Sequence, residues 1–401
     1  MDISRRVERL GSGVFYRNDF RKESYRMISA IKQLPSLVDL SLGSTDLRPP
    51  ANVLEVIRKA VDESTSSSYC LHASTKPFRE AVAIWAKRRF GVVVDPDSQV
   101  LLLVGSQEGT AHLPLAVMNP GDRGLILDPS YPSHRGGLVL ADAQIEMLRL
   151  NSVDGWKPNF SSLSNTQLDD LKIMIFGFPH NPTSQVGEQS WLEEAMQCGL
   201  RHQVVIAHDN PYLDLAIDGD SPSLLNCEGW KEWGIEFFSL SKAWCLGGFR
   251  LAFAIGAKDL ISALKQVKGV VDFNQSLALQ KGAIEALTSS MNWPNQILKV
   301  YKERRDRTID RFARFGWQVP IPSMAMYLWM PLPLWAKERC WDDELFAQNL
   351  LAQTGVALTP GSGFGLGGKD WVRLALVHPV ADLETAVNRI EKWFYEKSSV
   401  L

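Results

Sequence analysis

The chain contains the stretch Phe238-Ser239-Leu240-Ser241-Lys242-Ala243-Trp244-Cys245-Leu246-Gly247-Gly248-Phe249-Arg250. It joins two apolar runs, residues 235–240 and 251–255, which predict buried strands. A lysine held between buried strands is poorly hydrated, which favours its neutral, nucleophilic amine. Ser239 and Ser241 before Lys242, and Arg250 after it, suggest a phosphate site, because a guanidinium offers a planar fork of donors. A nucleophilic amine beside a phosphate site suggests pyridoxal phosphate (PLP).

Two other interpretations fit this stretch when it is taken alone. A lysine in a strand-to-loop turn is commonly a solvated surface residue. Ser239-Leu240-Ser241-Lys242 also matches the S-x-x-K motif of penicillin-binding enzymes, but the K-T-G motif that those enzymes need later in the chain is absent from the sequence.

Composition limits the kinds of partner that we expect. The chain has 401 residues, 45% of them hydrophobic and 22% charged, with a formal net charge of -2. This length allows more than one domain, and the near-neutral balance argues against nucleic acid or a membrane as the main partner. The cysteines form no C-x-x-C pair, no apolar run reaches membrane-spanning length and no apolar signal segment is seen. We therefore expect reduced thiols and a cytoplasmic protein.

Short apolar runs alternate with helical patterns in the middle of the chain. The strand candidates are residues 100–104, 124–127, 145–150, 173–176, 204–207 and 237–240, and the helix candidates among them are 106–117 and 191–200. This alternation predicts an α/β fold with a mostly parallel sheet covered by helices on both faces. In such sheets the ligand lies outside the carboxyl ends of the strands.

The order of the patterns predicts three segments. Residues 1–46 are expected to form an irregular N-terminal arm and a segment of the smaller domain, and residues 47–289 a large PLP-binding domain. Residues 290–401 carry long helical patterns and short strands, which predict a small C-terminal α+β domain.

Further candidate residues follow the predicted strands. Gly105-Ser106-Gln107 opens a helix after a strand, where free backbone N–H groups favour an anion. Tyr131 offers a flat ring for a planar cofactor, and Asn181 offers an amide to a phenolate oxygen. Each has an ordinary alternative: an empty helix start, a tyrosine packed at a turn and an Asn-Pro turn.

Two charged residues lie on predicted buried strands. Asp209 ends an apolar strand and needs a cationic partner, which a protonated pyridine nitrogen would supply. Arg373 alternates with apolar residues and would bind a substrate carboxylate, unless it forms an internal salt bridge. We predict no metal site, and we interpret His208 as a packing or supporting histidine, because no other His or Cys lies at ligand spacing. Residues 363–368 match G-x-G-x-x-G, but they precede a strand and not a helix, so we predict a turn and no dinucleotide site.

Taken together, these motifs identify a resemblance. The sequence resembles the class I/II aminotransferases, PLP enzymes of the aspartate aminotransferase (type I) fold, over roughly residues 35–397. Residues 105–116, Gly-Ser-Gln-Glu-Gly-Thr-Ala-His-Leu-Pro-Leu-Ala, are similar to the branch of LL-diaminopimelate and alanine aminotransferases.

The resemblance implies roles for individual residues. Lys242 would form the Schiff base with PLP and move the Cα proton, Asp209 would pair with the pyridine nitrogen, and Tyr131 would stack on the ring. Asn181 and Tyr212 would contact the O3′ oxygen of the cofactor. The residues implied to hold the phosphate are Ser106, Gln107, Ser239, Ser241, Arg250 and, from the other subunit of a homodimer with shared sites, Tyr69. Those implied to hold the substrate are Arg373, Gly43 and Asn181.

The expected function is therefore transfer of the amino group of an L-amino acid to a 2-oxo acid such as 2-oxoglutarate. Diaminopimelate-type, alanine/glutamate and aspartate substrates all stay open, and a PLP-dependent lyase or decarboxylase of the same fold is the alternative. The sequence departs from the family pattern at Ser184, Ala252 and Ser74, where glycine is usual. We expect these positions to lie on loops that shape the pocket, so they bear on substrate specificity.

Overall fold

The computed structural model describes residues 2–289 and 292–398. The strands are β1 (Val38–Asp39), β2 (Val100–Val104), β3 (Arg123–Asp128), β4 (Gln144–Arg149), β5 (Leu171–Phe176), β6 (Val205–Asn210), β7 (Gly234–Ser239), β8 (Leu251–Gly256), β9 (Tyr327–Pro331), β10 (Val356–Ala357), β11 (Thr359–Pro360) and β12 (Trp371–Ala375). The helices are α1 (Arg5–Leu10), α2 (Val14–Lys32), α3 (Ala51–Val61), α4 (Lys76–Phe90), α5 (Ser106–Val117), α6 (Pro132–Leu140), α7 (Asn165–Asp169), α8 (Gln189–His202), α9 (Trp230–Trp233), α10 (Lys258–Val271), α11 (Leu277–Thr288), α12 (Trp293–Arg314), α13 (Leu334–Glu338), α14 (Asp343–Thr354) and α15 (Val380–Ser398).

The central sheet has seven strands in the order β2-β8-β7-β6-β5-β3-β4. All neighbours pair in parallel except that β8 is antiparallel to both β2 and β7. Its central strands β6, β7 and β8 are buried along almost all of their length, as is typical of a sheet covered on both faces. The predicted α/β fold with a mostly parallel sheet is confirmed.

The chain also forms two smaller sheets, and one of them joins its N-terminal and C-terminal segments. β1 pairs in parallel with β10, Val38 opposite Val356, and the antiparallel sheet has the order β11-β12-β9. The N-terminal strand thus belongs structurally with the C-terminal segment. The predicted segment boundaries stay a prediction, and residue 290, at which the third segment was expected to begin, lies outside the described residues.

The prediction that the N-terminal arm is irregular is wrong. The structure contains α1 and the 19-residue α2 there. The apolar residues of α2 are spread around the helix: Val14 and Tyr25 are buried, whereas Tyr16 and Phe20 are exposed. Without a single apolar stripe the 3.6-residue period is weak, so the sequence pattern did not indicate a helix. Among the described residues, no helix is both long enough and apolar enough to cross a membrane.

Candidate active site

A cavity of about 380 Å³ lies at the carboxyl ends of the parallel strands. It is lined by twelve of the thirteen residues that the sequence predicted for the site: Gly43, Ser106, Gln107, Tyr131, Asn181, Asp209, Tyr212, Ser239, Ser241, Lys242, Arg250 and Arg373. Tyr69 does not line it. The fold therefore brings together residues from loops that are far apart in the sequence.

Lys242 follows β7 and reaches across to the N-terminal segment. Its Nζ donates a hydrogen bond of 2.6 Å to the carbonyl oxygen of Gly43 and lies 5.9 Å from the centre of the Tyr212 ring. Gly43 has no room for a side chain, because a Cβ there would lie 1.9 Å from the hydroxyl oxygen of Tyr327. The close approach of the backbone is what gives Lys242 its partner.

One end of the cavity has the character of a phosphate site. Gly105 has φ +81°, and a Cβ there would lie 2.2 Å from Nη2 of Arg250, so the guanidinium lies directly over this glycine. The next residue, Ser106, begins α5, whose first backbone N–H groups have no partner within the helix. Ser239 Oγ donates to Ser241 Oγ at 2.9 Å, and both serines line the same cavity as Ser106 and Arg250. The arrangement can bind a dianion.

The cavity also contains a negative charge, the carboxylate of Asp209. Its Oδ2 lies 3.3 Å from Nε2 of His134, and its Oδ1 is buried with no hydrogen-bond partner among the described residues. An unpartnered carboxylate oxygen in the cavity wall fits the protonated ring nitrogen of PLP. The residues present thus suit this cofactor at both ends.

His134 was not among the predicted site residues. It lies in the first turn of α6, a helix that the sequence pattern did not indicate, and it is buried. A single histidine after Pro-Ser-Tyr-Pro-Ser carries no signal of its own, so only the packing of α6 against the sheet reveals its contact with Asp209.

A pair of tyrosines forms another wall. The hydroxyls of Tyr212 and Tyr327 lie 3.0 Å apart, and Asn181 Nδ2 donates to Tyr212 at 3.4 Å. Burial, reinforced by Tyr327, raises the pKa of Tyr212. Burial also acts to raise the pKa of Tyr327, but the positive charges of Lys242 and Arg373 and the hydrogen bond with Tyr212 together lower that pKa.

Tyr327 was also missed. It begins β9 and pairs with Ala375 of β12, and the sequence does not show which strands are neighbours. Tyr131, which was predicted, donates a hydrogen bond of 3.1 Å to Gln107, and burial, together with Tyr327 and Asp209, raises its pKa to about 12. It is therefore a neutral ring at physiological pH.

Arg373 is 1% exposed, and no salt bridge of the described residues includes it. The alternative of an internal salt bridge is therefore wrong within that part of the chain. Nη1 donates to Asn181 Oδ1 at 2.7 Å and Nη2 to the Ser41 carbonyl at 2.9 Å. A buried guanidinium without a carboxylate leaves a charge to be balanced, which suits a substrate carboxylate. Three rings enclose it at 4.3, 4.7 and 5.5 Å, those of Tyr327, Phe364 and Phe15.

The remaining motifs have structural roles. His208 accepts the backbone N–H of Phe178 at 3.0 Å and contacts Glu236 at 2.9 Å, so it is the packing histidine that was predicted. The glycine-rich run forms the predicted turn, with Gly367 donating to Asp128. Ser184, where the family has glycine, has φ +60° and donates to the Tyr327 carbonyl at 3.0 Å.

Tyr69 lies on the surface, 85% exposed, with its ring against Phe273 at 5.5 Å. Its contribution to the site of a second subunit stays a prediction.

Comparison with known proteins agrees with this geometry. The family model "Aminotransferase class I and II" matches residues 35–390. An LL-diaminopimelate aminotransferase of Dehalococcoides mccartyi is 33% identical over 97% of this chain and 98% of its own length. A probable N-succinyldiaminopimelate aminotransferase of Thermus thermophilus has a structure that matches with a TM-score of 0.86 at 37% identity, covering 94% of this chain and 99% of that one.

A mutant aspartate aminotransferase of Thermus thermophilus shares the fold, with a TM-score of 0.88 at 24% identity over 98% of this chain and 99% of that one. The chain therefore belongs to the class I and II aminotransferases, and its cofactor is pyridoxal phosphate.

Proposed function

We propose that this aminotransferase takes its amino group from an L-amino acid of the diaminopimelate type and gives it to a 2-oxo acid such as 2-oxoglutarate. The observation that carries the proposal is one cavity that holds Lys242, Asp209 and Arg373 together. The relatives described as acting on LL-diaminopimelate or N-succinyldiaminopimelate support the choice of side chain.

In the proposed reaction, the residues that line the cavity have separate roles. When bound, PLP draws electrons from the Cα of an amino acid joined to it, which makes the Cα proton acidic. Lys242 binds the cofactor through Nζ and then takes and returns that proton at the same atom. Asp209 keeps a proton on the ring nitrogen through Oδ1. Arg373 orients the substrate by its α-carboxylate, with Gly43 and Asn181 beside it.

Other residues hold the cofactor in place. Tyr212 and Asn181 bind its phenolate oxygen, and Tyr131 covers the ring. The phosphate is bound by side chains and backbone groups around the start of α5 and the end of the 240–250 loop, namely those of Ser106, Gln107, Ser239, Ser241 and Arg250.

The charges of the cavity argue against an aspartate-type donor. Among the described lining residues the Lys and Arg side chains are Lys242, Arg250 and Arg373, and each has a role assigned above. Arg48, an arginine that follows Gly43 by five residues, is exposed and does not line the cavity. Among the described residues of one subunit, an aspartate side chain would have no cationic partner left inside the cavity. A diaminopimelate side chain is longer and ends in an ammonium and a carboxylate on one carbon, whose charges cancel.

A homodimer with shared sites is part of this proposal. Tyr69 is exposed, and so are two apolar residues near it: Leu71, which is close in sequence, and Phe273, whose ring it contacts. An exposed apolar patch of this kind suits a subunit interface. Action in the cytoplasm is proposed from the cysteines, all five of which are free.

A panel of amino donors tests the substrate. We expect LL-diaminopimelate to give the highest kcat/KM with 2-oxoglutarate as acceptor. Alanine and aspartate should be at least about tenfold poorer, a difference of about 1.4 kcal/mol in transition-state binding. Preferred turnover of aspartate would contradict the proposal.

A further inference from the structure

Gln275 lies between α10 and α11 and is buried. Its amide nitrogen Nε2 donates to the carbonyl oxygen of Leu103 at 2.6 Å and also to the carbonyl oxygen of Arg250. Both N–H groups of the amide are therefore used. Because both partners can only accept, the orientation of the amide is fixed.

These two carbonyl groups belong to the two segments that reach the phosphate end of the cavity. Leu103 is in β2, which leads through Gly105 to Ser106, and Arg250 directly precedes β8. The pairing of β2 with β8 runs as far as Val104 opposite Leu251. Gln275 thus joins the two segments at the point where their strand pairing stops.

The segments need such support. Arg250 has φ +56°, a left-handed conformation that a residue with a side chain keeps only when its surroundings hold it. Its guanidinium must also stay over Gly105, whose φ is +81°. A change in spacing between the two segments would move Arg250 relative to Ser106, and an anion site depends on the convergence of its donors.

We propose that Gln275 is a positioning residue for the phosphate of the cofactor, acting by fixing the distance between the segments that carry Ser106 and Arg250. The inference rests on the roles proposed above for those two residues. Neighbours of Gln275 extend the same support to the loop that carries Tyr69: Asn274 donates to the Cys70 carbonyl at 3.1 Å.

Two ligands separate this role from a general structural one: PLP and pyridoxal, which lacks the phosphate. Their dissociation constants are measured by titrating the full-length apoprotein and following absorbance and tryptophan fluorescence. We expect Gln275→Leu to bind PLP at least about tenfold more weakly, the loss of roughly one hydrogen bond in positioning, with pyridoxal binding unchanged. Gln275→Asn keeps an amide but is too short to reach both carbonyl groups, so we expect a smaller loss of PLP affinity. This variant replaces Gln275→Leu in the test if the leucine variant does not fold.

Gln189→Leu is the matched control. Gln189 also donates from Nε2 to a backbone carbonyl, that of Ser223 at 3.1 Å, and it does not line the cavity. Gln189→Leu should have the same ratio of PLP and pyridoxal dissociation constants as the wild type. If that ratio is also unchanged in both Gln275 variants, Gln275 has no positioning role. If the wild-type protein itself binds PLP no better than pyridoxal, the proposed phosphate site is wrong, and this inference fails with it.

Discussion

The two oxygens of Asp209 have different surroundings. Oδ2 contacts His134, whereas Oδ1 is buried without a partner among the described residues. A buried, unpartnered carboxylate oxygen lowers the stability of the protein without ligand, and it is stabilised when the ligand brings a positive charge. Asp209 therefore destabilises the free protein, and in the proposed function its charge stabilises the protonated ring nitrogen of the cofactor.

Replacing Asp209 by Asn removes that charge with little change in shape. We expect kcat to fall at least about a hundredfold, the loss typical of one preorganised electrostatic group. Single-turnover rates measured by stopped-flow absorbance check this. Asp214→Asn is the control, because Asp214 pairs with Arg89 at 3.5 Å and does not line the cavity. An Asp209→Asn rate within about threefold of wild type, under 1 kcal/mol, would show that the charge is not used.

Gly43 gives a second test at a single position. In Gly43→Ala the new methyl group would lie 1.9 Å from the Tyr327 hydroxyl oxygen, so Tyr327 or the backbone has to move. We expect a loss of about 1–3 kcal/mol in the free energy of unfolding, as for other overpacked sites, together with weaker PLP binding. Urea unfolding and cofactor titration measure the two effects. Gly13→Ala should show neither, because no atom lies within 4 Å of the added methyl group.

Between elements, β6 and β7 are joined by more than their backbone ladder. His208 and Asn210, on either side of Asp209 in β6, both contact Glu236 of β7, at 2.9 and 2.8 Å. Side chains alternate along a strand, so these bonds lie on the face opposite Asp209. Glu236 is fully buried, and its other oxygen accepts from Ser223 at 2.7 Å. These contacts fix the strand that carries Asp209.

Glu236→Ala would leave several buried donors without an acceptor. Since each unsatisfied group costs about 1–3 kcal/mol, we expect a total loss of at least about 3 kcal/mol in the free energy of unfolding. Glu236→Gln should cost less, because an amide oxygen can still accept from His208 and Asn210. Urea denaturation of both variants measures these losses. An equal loss in the free energy of unfolding for the two variants would mean that side-chain volume, and not hydrogen bonding, determines stability at this position.

Elements with a clear pattern were predictable from the sequence, whereas contacts between elements were not. β2 and α5 were predicted with the bounds that the structure shows, because an apolar run and a helical period meet there at Gly105. α2 was missed because its apolar residues form no single stripe. Most of the predicted site residues follow strands, and the fold explains why they meet, but Tyr327 and His134 depend on strand neighbours and helix packing that no local pattern encodes.

For the whole molecule, the proposed homodimer predicts complementation. Lys242→Ala and Tyr69→Ala are each expected to impair the enzyme. A hybrid dimer of the two would carry both lesions in one site and none in the other, so random subunit exchange should restore about a quarter of wild-type activity. Activity assays after exchange check this, with sedimentation to measure the mass.

Two controls accompany that experiment. Each variant mixed with itself should show no gain, and Tyr69→Phe should keep the mass of the dimer while holding PLP less firmly. No recovery in the hybrid, with Tyr69→Ala alone clearly impaired, would place Tyr69 in the site of its own subunit. A fully active monomer would exclude the shared site altogether.

The pairing of β1 with β10 also has a consequence for folding during synthesis on the ribosome. Val38 is among the first residues to emerge from the ribosome, whereas its partner Val356 is synthesised more than 300 residues later. At roughly 5–20 residues per second, the N-terminal strand waits on the order of 15 to 60 seconds for its partner. Ser41, whose carbonyl accepts from Arg373, waits longer still. A nascent chain that stops short of these residues has an unfinished pocket, so we expect it to need a chaperone where the complete chain does not.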